Sequence, residues 1–156
     1  MPFLVRYALI GAGVFALQWL VLGRLTLWGS YPDAVLLFVA WVGLREGRRV
    51  GSLAGFGLGA LMDIAYGTWG IYMFAKTLVG FLLGLFPADQ RESLRLQPRQ
   101  GFLGGLVVAL LHNGIVVIFL ALQTDASNSF MVFGLWLGAA LYTAFVSVIA
   151  TLFSAS

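Results

Sequence analysis

Six apolar stretches separated by short polar segments account for most of the chain. They predict helices at residues 5–24, 32–47, 50–66, 70–86, 101–122 and 130–153. A transmembrane helix needs about 20 mainly apolar residues, with a range of about 17–25. The second stretch is short, since its apolar part runs only from Ala34 to Leu44, and a re-entrant or interfacial segment is its alternative. The pattern predicts an all-α integral membrane protein, a six-transmembrane-helix bundle in which residues 1–156 form a single transmembrane domain.

The distribution of basic residues tests this division of the chain. With the N-terminus in the cytoplasm, seven of the nine basic residues fall on the cytoplasmic side, namely Arg6, Arg45, Arg48, Arg49, Arg91, Arg95 and Arg99. The positive-inside rule therefore predicts that both termini are cytoplasmic. Without the short second helix, one of the arginine groups would lie outside, so we expect that helix to cross. Aromatic residues of the kind found at membrane interfaces fall at the predicted external ends, at Trp28, Tyr31, Tyr66 and Trp69.

Composition agrees with a membrane protein and argues against several kinds of chemistry. Hydrophobic residues make up 61% and charged residues 10% of the chain, against about 45–50% and about 25% in soluble domains. The absence of cysteine excludes disulfides and Cys-ligated metals. The basic residues lie in short runs between apolar segments and do not form a nucleic-acid-binding patch. No phosphate loop, serine-hydrolase or zinc motif is present, so we expect a non-enzymatic protein with no catalytic residues, metal or cofactor.

Glycine is abundant, and its spacing predicts where helices pack. Gly51, Gly55 and Gly59 are four residues apart and share one face of the third helix, while Gly80 and Gly84 do so on the fourth. Helices in lipid associate through close backbone approach, which small residues permit. The spacing therefore favours packing within this chain over an interface with another molecule.

Three charged residues fall in the predicted outer half of the membrane, at Asp33, Asp63 and Lys76. Such residues are costly in lipid and are candidates for function. We hypothesise an Asp63–Lys76 ion pair, and the alternative is that Asp63 caps the turn while Lys76 extends to the headgroups. For Asp33, a helix N-cap at the interface is favoured over a second carboxylate lining a cavity mouth.

His112 and Asn113 fall near the middle of the fifth helix. A lone histidine is weak support for a metal site. A proton relay would need an acid at the same depth on a neighbouring helix, and the predicted helices place none there. We therefore expect hydrogen bonds between helices, with Thr143 or Ser147 of the sixth helix as suggested partners.

The cytoplasmic arginines Arg45, Arg48, Arg49, Arg91, Arg95 and Arg99 have three explanations that the sequence leaves open. They set the membrane topology. They also contact anionic lipid, at about 1 kcal/mol each. The third explanation is contact with an acidic cytoplasmic partner.

The middle of the chain resembles the rod shape-determining MreD family. The matching features are a Pro32-Asp33 helix start, the Arg45–Arg49 turn, the Gly51–Gly59 stripe with Asp63, glycines at 67 and 70, and the final Val79–Gly84 block. The resemblance implies a scaffold of the bacterial cell-elongation complex that lies in the bacterial inner membrane and binds an MreC-like protein. It also implies direct or indirect association with MreB and with RodA and its transpeptidase, in support of lateral peptidoglycan synthesis and rod cell shape.

That family is similar in fold to the substrate-binding subunits of vitamin transporters, which supplies an alternative function. Such a subunit would need a polar pocket near Asp33, Asp63 and the external loops. The predicted external loops are short and carry few hydrogen-bonding side chains, whereas a vitamin site needs several convergent polar groups. A third possibility is a proton or ion conduit. The chain carries too few intramembrane acidic residues to favour it.

Overall fold

The computed structural model of the chain describes residues 3–27, 29–86, 98–124 and 129–154. These residues form six α-helices: α1 (Phe3–Leu20), α2 (Ala34–Glu46), α3 (Arg48–Tyr66), α4 (Ile71–Leu83), α5 (Pro98–Thr124) and α6 (Ala139–Ser154). A 3₁₀ turn, Leu22–Arg24, follows α1, and a π-helical segment, Met131–Gly138, leads into α6. The described part of the chain is thus all-helical, apart from one isolated bridge between Leu27 and Ser30.

The number and order of the helices agree with the prediction, whereas several boundaries differ. α5 begins at Pro98 instead of Gly101, so that Arg99 lies in a helical first turn and not in a loop. Proline is tolerated there because first-turn N–H groups have no helical partner. α4 ends at Leu83, and the sixth helix begins with a π-helical segment.

The short helix α2 lies at the centre of the bundle, where it contacts each of the other five α-helices. Its residues Val35, Leu36, Val39 and Val42 are fully buried. Thirteen residues rise only about 20 Å, less than the ~30 Å hydrocarbon core. Because protein surrounds α2, its length does not need to match the lipid.

The glycine stripe brings α3 and α4 into backbone contact, and this pair forms the most extensive helix–helix contact. A Cβ atom on Gly51 would lie 2.5 Å from the carbonyl oxygen of Gly80, and one on Gly59 would lie 2.5 Å from Cα of Met73. Gly55 lies against the backbone of Lys76. These glycines pack inside the chain, because any side chain would separate the two helices.

Among the residues that the structure describes, three segments are long and apolar enough to cross a membrane, by length and composition: Phe3–Arg24, Pro98–Gln123 and Met131–Leu152. The helix Ile71–Leu83 is apolar but shorter. Large apolar side chains cover much of the outer surface, as on α1, where only Gly11 and Gln18 are buried. Such a surface is typical of a protein immersed in lipid.

Two glycines of α3 provide a matched test of this packing. Gly55→Ala should lower the free energy of unfolding by about 1–3 kcal/mol, because the new methyl group meets the backbone of α4. A Cβ on Gly57 has no neighbour within 4 Å, so Gly57→Ala should be neutral or stabilising. Thermal unfolding of both variants in detergent is the measurement. Equal stability of the two would contradict the proposed packing.

Candidate functional site

A buried ion pair joins α4 to the start of α2. The ammonium of Lys76 contacts the Asp33 carboxylate, and the side chain of Lys76 is 0% exposed. Lys76 lies on the face of α4 that also carries the buried residues Ala75 and Val79. Asp33 is the N-cap of α2, and its Oδ1 accepts a hydrogen bond from the N–H of Leu36 at 2.8 Å. One carboxylate therefore caps a helix and neutralises a lysine.

His112 of α5 extends this pair into a cluster. Its Nε2 lies 3.3 Å from Nζ of Lys76, and its Nδ1 lies 3.0 Å from Oδ1 of Asn113. An ammonium can only donate, so Nε2 accepts from Lys76 and the ring proton sits on Nδ1, which donates to Asn113. The ring of Tyr72 stacks on His112, and its centroid lies 5.3 Å from the Lys76 ammonium, within cation–π range.

Two further helices bind the backbone around Asp33. The N–H of Asp33 donates to Oγ1 of Thr143 in α6 at 3.1 Å. In α1, the buried Gln18 donates to the carbonyl of Pro32 at 2.9 Å and accepts from the N–H of Ala34 at 2.8 Å. The start of α2 is therefore held by α1, α4 and α6, and through Lys76 by α5.

The predicted Asp63–Lys76 ion pair is wrong, because Lys76 pairs with Asp33 and Asp63 has other partners. Oδ1 of Asp63 accepts from the N–H of Tyr72 at 3.0 Å and from the Thr68 hydroxyl at 2.5 Å. Its Oδ2 accepts from the N–H of Met73 at 2.8 Å. The free N–H groups at the start of α4 thus occupy this carboxylate. The alternative hypothesis, in which Asp63 caps the turn and Lys76 extends to the headgroups, is correct for Asp63 and wrong for Lys76.

The expected bonds from His112 to Thr143 or Ser147 are also not the ones that form. Thr143 accepts from Asp33, while Ser147 donates to the carbonyl of Gly101 at 2.6 Å. The expectation that no acid lies near the depth of His112 is wrong too, because Lys76 contacts both the Asp33 carboxylate and the His112 ring. The reason is that the segment before α2 is buried, including Ser30 and Pro32, so Asp33 lies inside the bundle and not at its surface.

A cavity of about 50 Å³ lies beside the cluster. Its polar lining comes from Ser30, Tyr31, Asp33, Tyr72, Asn113 and Thr143, and its apolar lining from Val116, Leu120, Leu135 and Ala139. The hydroxyls of Tyr31 and Tyr72 are 2.8 Å apart. The space can hold a few water molecules, each needing about 10–15 Å³. It is well below the ~300–1,000 Å³ of small-molecule sites.

The remaining predicted residues lie away from the cluster. Arg45 is at the opposite end of α2, where it pairs with Glu46 at 3.5 Å, and Arg48 and Arg49 begin α3. Trp69 is 93% exposed at the α3–α4 turn. Arg91, Arg95 and Trp28 lie outside the described residues. Among the described residues, no group of three His, Asp or Glu side chains could hold a metal ion.

Sequence reasoning missed Gln18, Tyr31 and Tyr72 as members of this region. Gln18 left a signal, because it is a lone amide in an otherwise apolar stretch, and such groups in membrane helices usually bond to another helix. The tyrosines gave no comparable signal, since aromatic residues at helix ends are expected at any membrane interface.

The ion pair can be tested by a double-mutant cycle. Lys76→Met should lower the free energy of unfolding by about 3–5 kcal/mol, because it leaves the Asp33 carboxylate buried and unpaired. Adding Asp33→Asn should recover much of this loss, since asparagine can still cap α2. The exposed Arg45→Met serves as control and should cost less than about 1 kcal/mol. Losses that simply add in the double variant would contradict the pairing.

Comparison with known proteins gives a family. The family model described as 5TMR of 5TMR-LYT, a five-transmembrane-helix domain, matches residues 6–150. No curated protein and no solved structure matches the chain.

The resemblance to the MreD family is therefore wrong, because the chain matches a different family and has no match to that one. The features that carried the resemblance have general physical causes. Asp33 caps a helix, and the glycines let two helices touch, which many membrane bundles require. The chain belongs to the 5TMR-LYT family of five-transmembrane-helix domains and is a multi-pass membrane protein.

Proposed function

We propose that this chain is a non-enzymatic membrane scaffold that binds the transmembrane helix of another membrane protein. The observation that supports this most is the closed interior of the bundle. Lys76, Asp33 and His112 are partnered by one another and by neighbouring groups, and the cavity beside them measures only about 50 Å³. Because the cavity beside the cluster is too small for a vitamin-sized substrate, the outer surface is the better candidate for interaction.

The surface of α1 is consistent with such a role. Gly11 packs against Phe38 and Leu58, and Gln18 bonds to the start of α2. Near the other end, the Tyr7 hydroxyl donates to Glu46 at 2.5 Å. α1 is thus attached at three levels, and most of its remaining residues face outward. Helices in lipid associate by packing and hydrogen bonding, which an outward face of this kind permits.

The same proposal includes the orientation of the chain. It places the chain in a bacterial inner membrane with six crossings and both termini in the cytoplasm, and the arginine distribution supports the cytoplasmic termini. Five crossings would instead put the termini on opposite sides. The two helices whose crossing decides this are α2 and α4, which have 13 residues each.

A second candidate function is the binding of a small molecule, as in the substrate-binding subunit of a transporter. The polar lining of the cavity, with Tyr31, Asn113 and Thr143, favours it. The volume argues against a vitamin-sized ligand unless the helices separate. The polar lining of the cavity therefore gives less support to small-molecule binding than its small volume gives to the scaffold.

The partner is best defined by its chemistry, as a protein with a membrane-spanning helix. An MreC-like protein of the cell-elongation complex stays a prediction for that partner, as does direct or indirect association with MreB and with RodA and its transpeptidase. It now stands without the family resemblance that suggested it.

Photo-crosslinking in native membranes tests the scaffold. A crosslinking amino acid at the exposed positions Leu9, Ile64 or Leu122 should yield a discrete protein adduct for at least one of them. The same amino acid at the buried Val35 serves as control and should yield none. Crosslinks to lipid alone at every exposed position would contradict the proposal. Recovery with a transporter membrane subunit and ATPases would support the second candidate.

Cysteine accessibility tests the orientation, and the lack of native cysteine makes it direct. Trp69→Cys should react with a membrane-impermeant maleimide in intact cells, because Trp69 lies in the predicted external turn. Cysteines at Phe3, Ser93 and Ser156 should react only after permeabilisation. Because five crossings put the two termini on opposite sides, labelling of only one of Phe3→Cys and Ser156→Cys in intact cells would instead indicate five crossings.

A further inference from the structure

A groove lies at the arginine-rich end of the bundle, remote from the ion cluster. Its volume is about 480 Å³, and it is lined by Glu46, Gly47, Arg48, Arg49, Gly84 and Leu85. We propose that this groove binds the headgroup of an anionic phospholipid, whose acyl chains lie along the neighbouring face of α3. This proposal goes beyond the scaffold function and does not depend on it.

Two glycines line the groove where α2, α3 and α4 meet. Gly47 connects α2 to α3 with φ +82°, a conformation that other residues rarely adopt. Gly84 ends α4 and lies against the backbone of Arg48. A side chain on Gly84 would meet that backbone and push α4 away from α3, so this glycine permits the close contact at the groove.

The unpartnered charge of the groove is positive. Arg48 and Arg49 line it, and neither forms an ion pair with any described residue. Glu46 carries the opposing charge, but Arg45 at 3.5 Å and the Tyr7 hydroxyl at 2.5 Å already contact it. Two adjacent guanidinium groups can each donate to phosphate oxygens, for which arginine geometry is well suited.

An apolar stripe continues from the groove along α3. Leu53 and Phe56 follow Arg49 at spacings of four and seven residues, and so lie on the same helix face. They are 66% and 53% exposed, and Ile64 further along is 81% exposed. Gly57 leaves an open recess in this stripe, because a Cβ added there would have no neighbour within 4 Å. A charged groove followed by an apolar face matches the two parts of a phospholipid.

This continuity favours a lipid over a soluble anion or an acidic peptide. The groove lies at one end of helices whose outer faces carry exposed apolar side chains. We therefore place the groove where these helices leave the hydrocarbon core, at the level of the lipid headgroups. Its arginines belong to the predicted cytoplasmic side, where anionic lipid attracts basic residues. Phosphate without acyl chains would use the arginines but not the stripe.

Titration of the purified full chain with phosphatidylglycerol, followed by native mass spectrometry, tests the site. Phosphatidylcholine with the same acyl chains is the zwitterionic comparison and should bind more weakly. Arg48→Gln and Arg49→Gln should each weaken phosphatidylglycerol binding about fivefold. Arg99→Gln is the matched control, since Arg99 is an exposed arginine of α5 that does not line the groove, and it should bind like the unchanged chain. Leu53→Asn should weaken binding without removing a charge.

Three outcomes would overturn the proposal. Equal binding of the two lipids would show that the arginines do not select the headgroup. Equal loss in the Arg99 and Arg48 variants would indicate a general effect of charge. Full displacement by inorganic phosphate, with no effect of Leu53→Asn, would identify an anion site without a lipid contact. Arg48→Lys keeps the charge and should retain most of the affinity, which separates loss of charge from misfolding.

Discussion

The buried ammonium of Lys76 is the constraint on which the arrangement of the helices depends. A charge removed from both water and headgroups is strongly destabilising unless it is paired and hydrogen-bonded. Here Asp33 supplies the opposite charge, His112 an acceptor and Tyr72 an aromatic face. These groups come from three different segments, so the pair forms only when α2, α4 and α5 occupy their observed positions. The cluster therefore specifies the packing of the bundle as well as satisfying a charge.

The glycine contact and the ion cluster are parts of the same constraint. Gly55 packs against the backbone of Lys76 itself, so the distance between α3 and α4 also sets how far the ammonium reaches toward Asp33. Asp63 also fixes the position of α4, because its carboxylate accepts hydrogen bonds from the N–H groups of Tyr72 and Met73, about one turn before Lys76. A displacement of α4 in either direction would therefore weaken the buried pair.

The sequence predicted the helices well and the contacts between their polar groups poorly. Hydrophobic runs and glycine spacing reflect local periodicity, so the six helices and the Gly51–Gly59 contact could be anticipated. The partner of Lys76 could not, because Asp33 and Asp63 look alike in sequence. Which of them reaches the ammonium depends on the burial of the segment before α2. Asp63 is engaged by the start of α4, a competing interaction that only the folded turn reveals.

The shortness of α2 and the position of the charge have a common explanation. A 13-residue helix of about 20 Å cannot span the hydrocarbon core with both ends in the headgroups, so at least one end lies within the protein. Its first N–H groups then need acceptors away from water. Asp33 and Gln18 supply them, and the buried carboxylate in turn needs a cation, which is Lys76. The charge inside the bundle thus follows from having a short helix at its centre, and it needs no substrate to account for it.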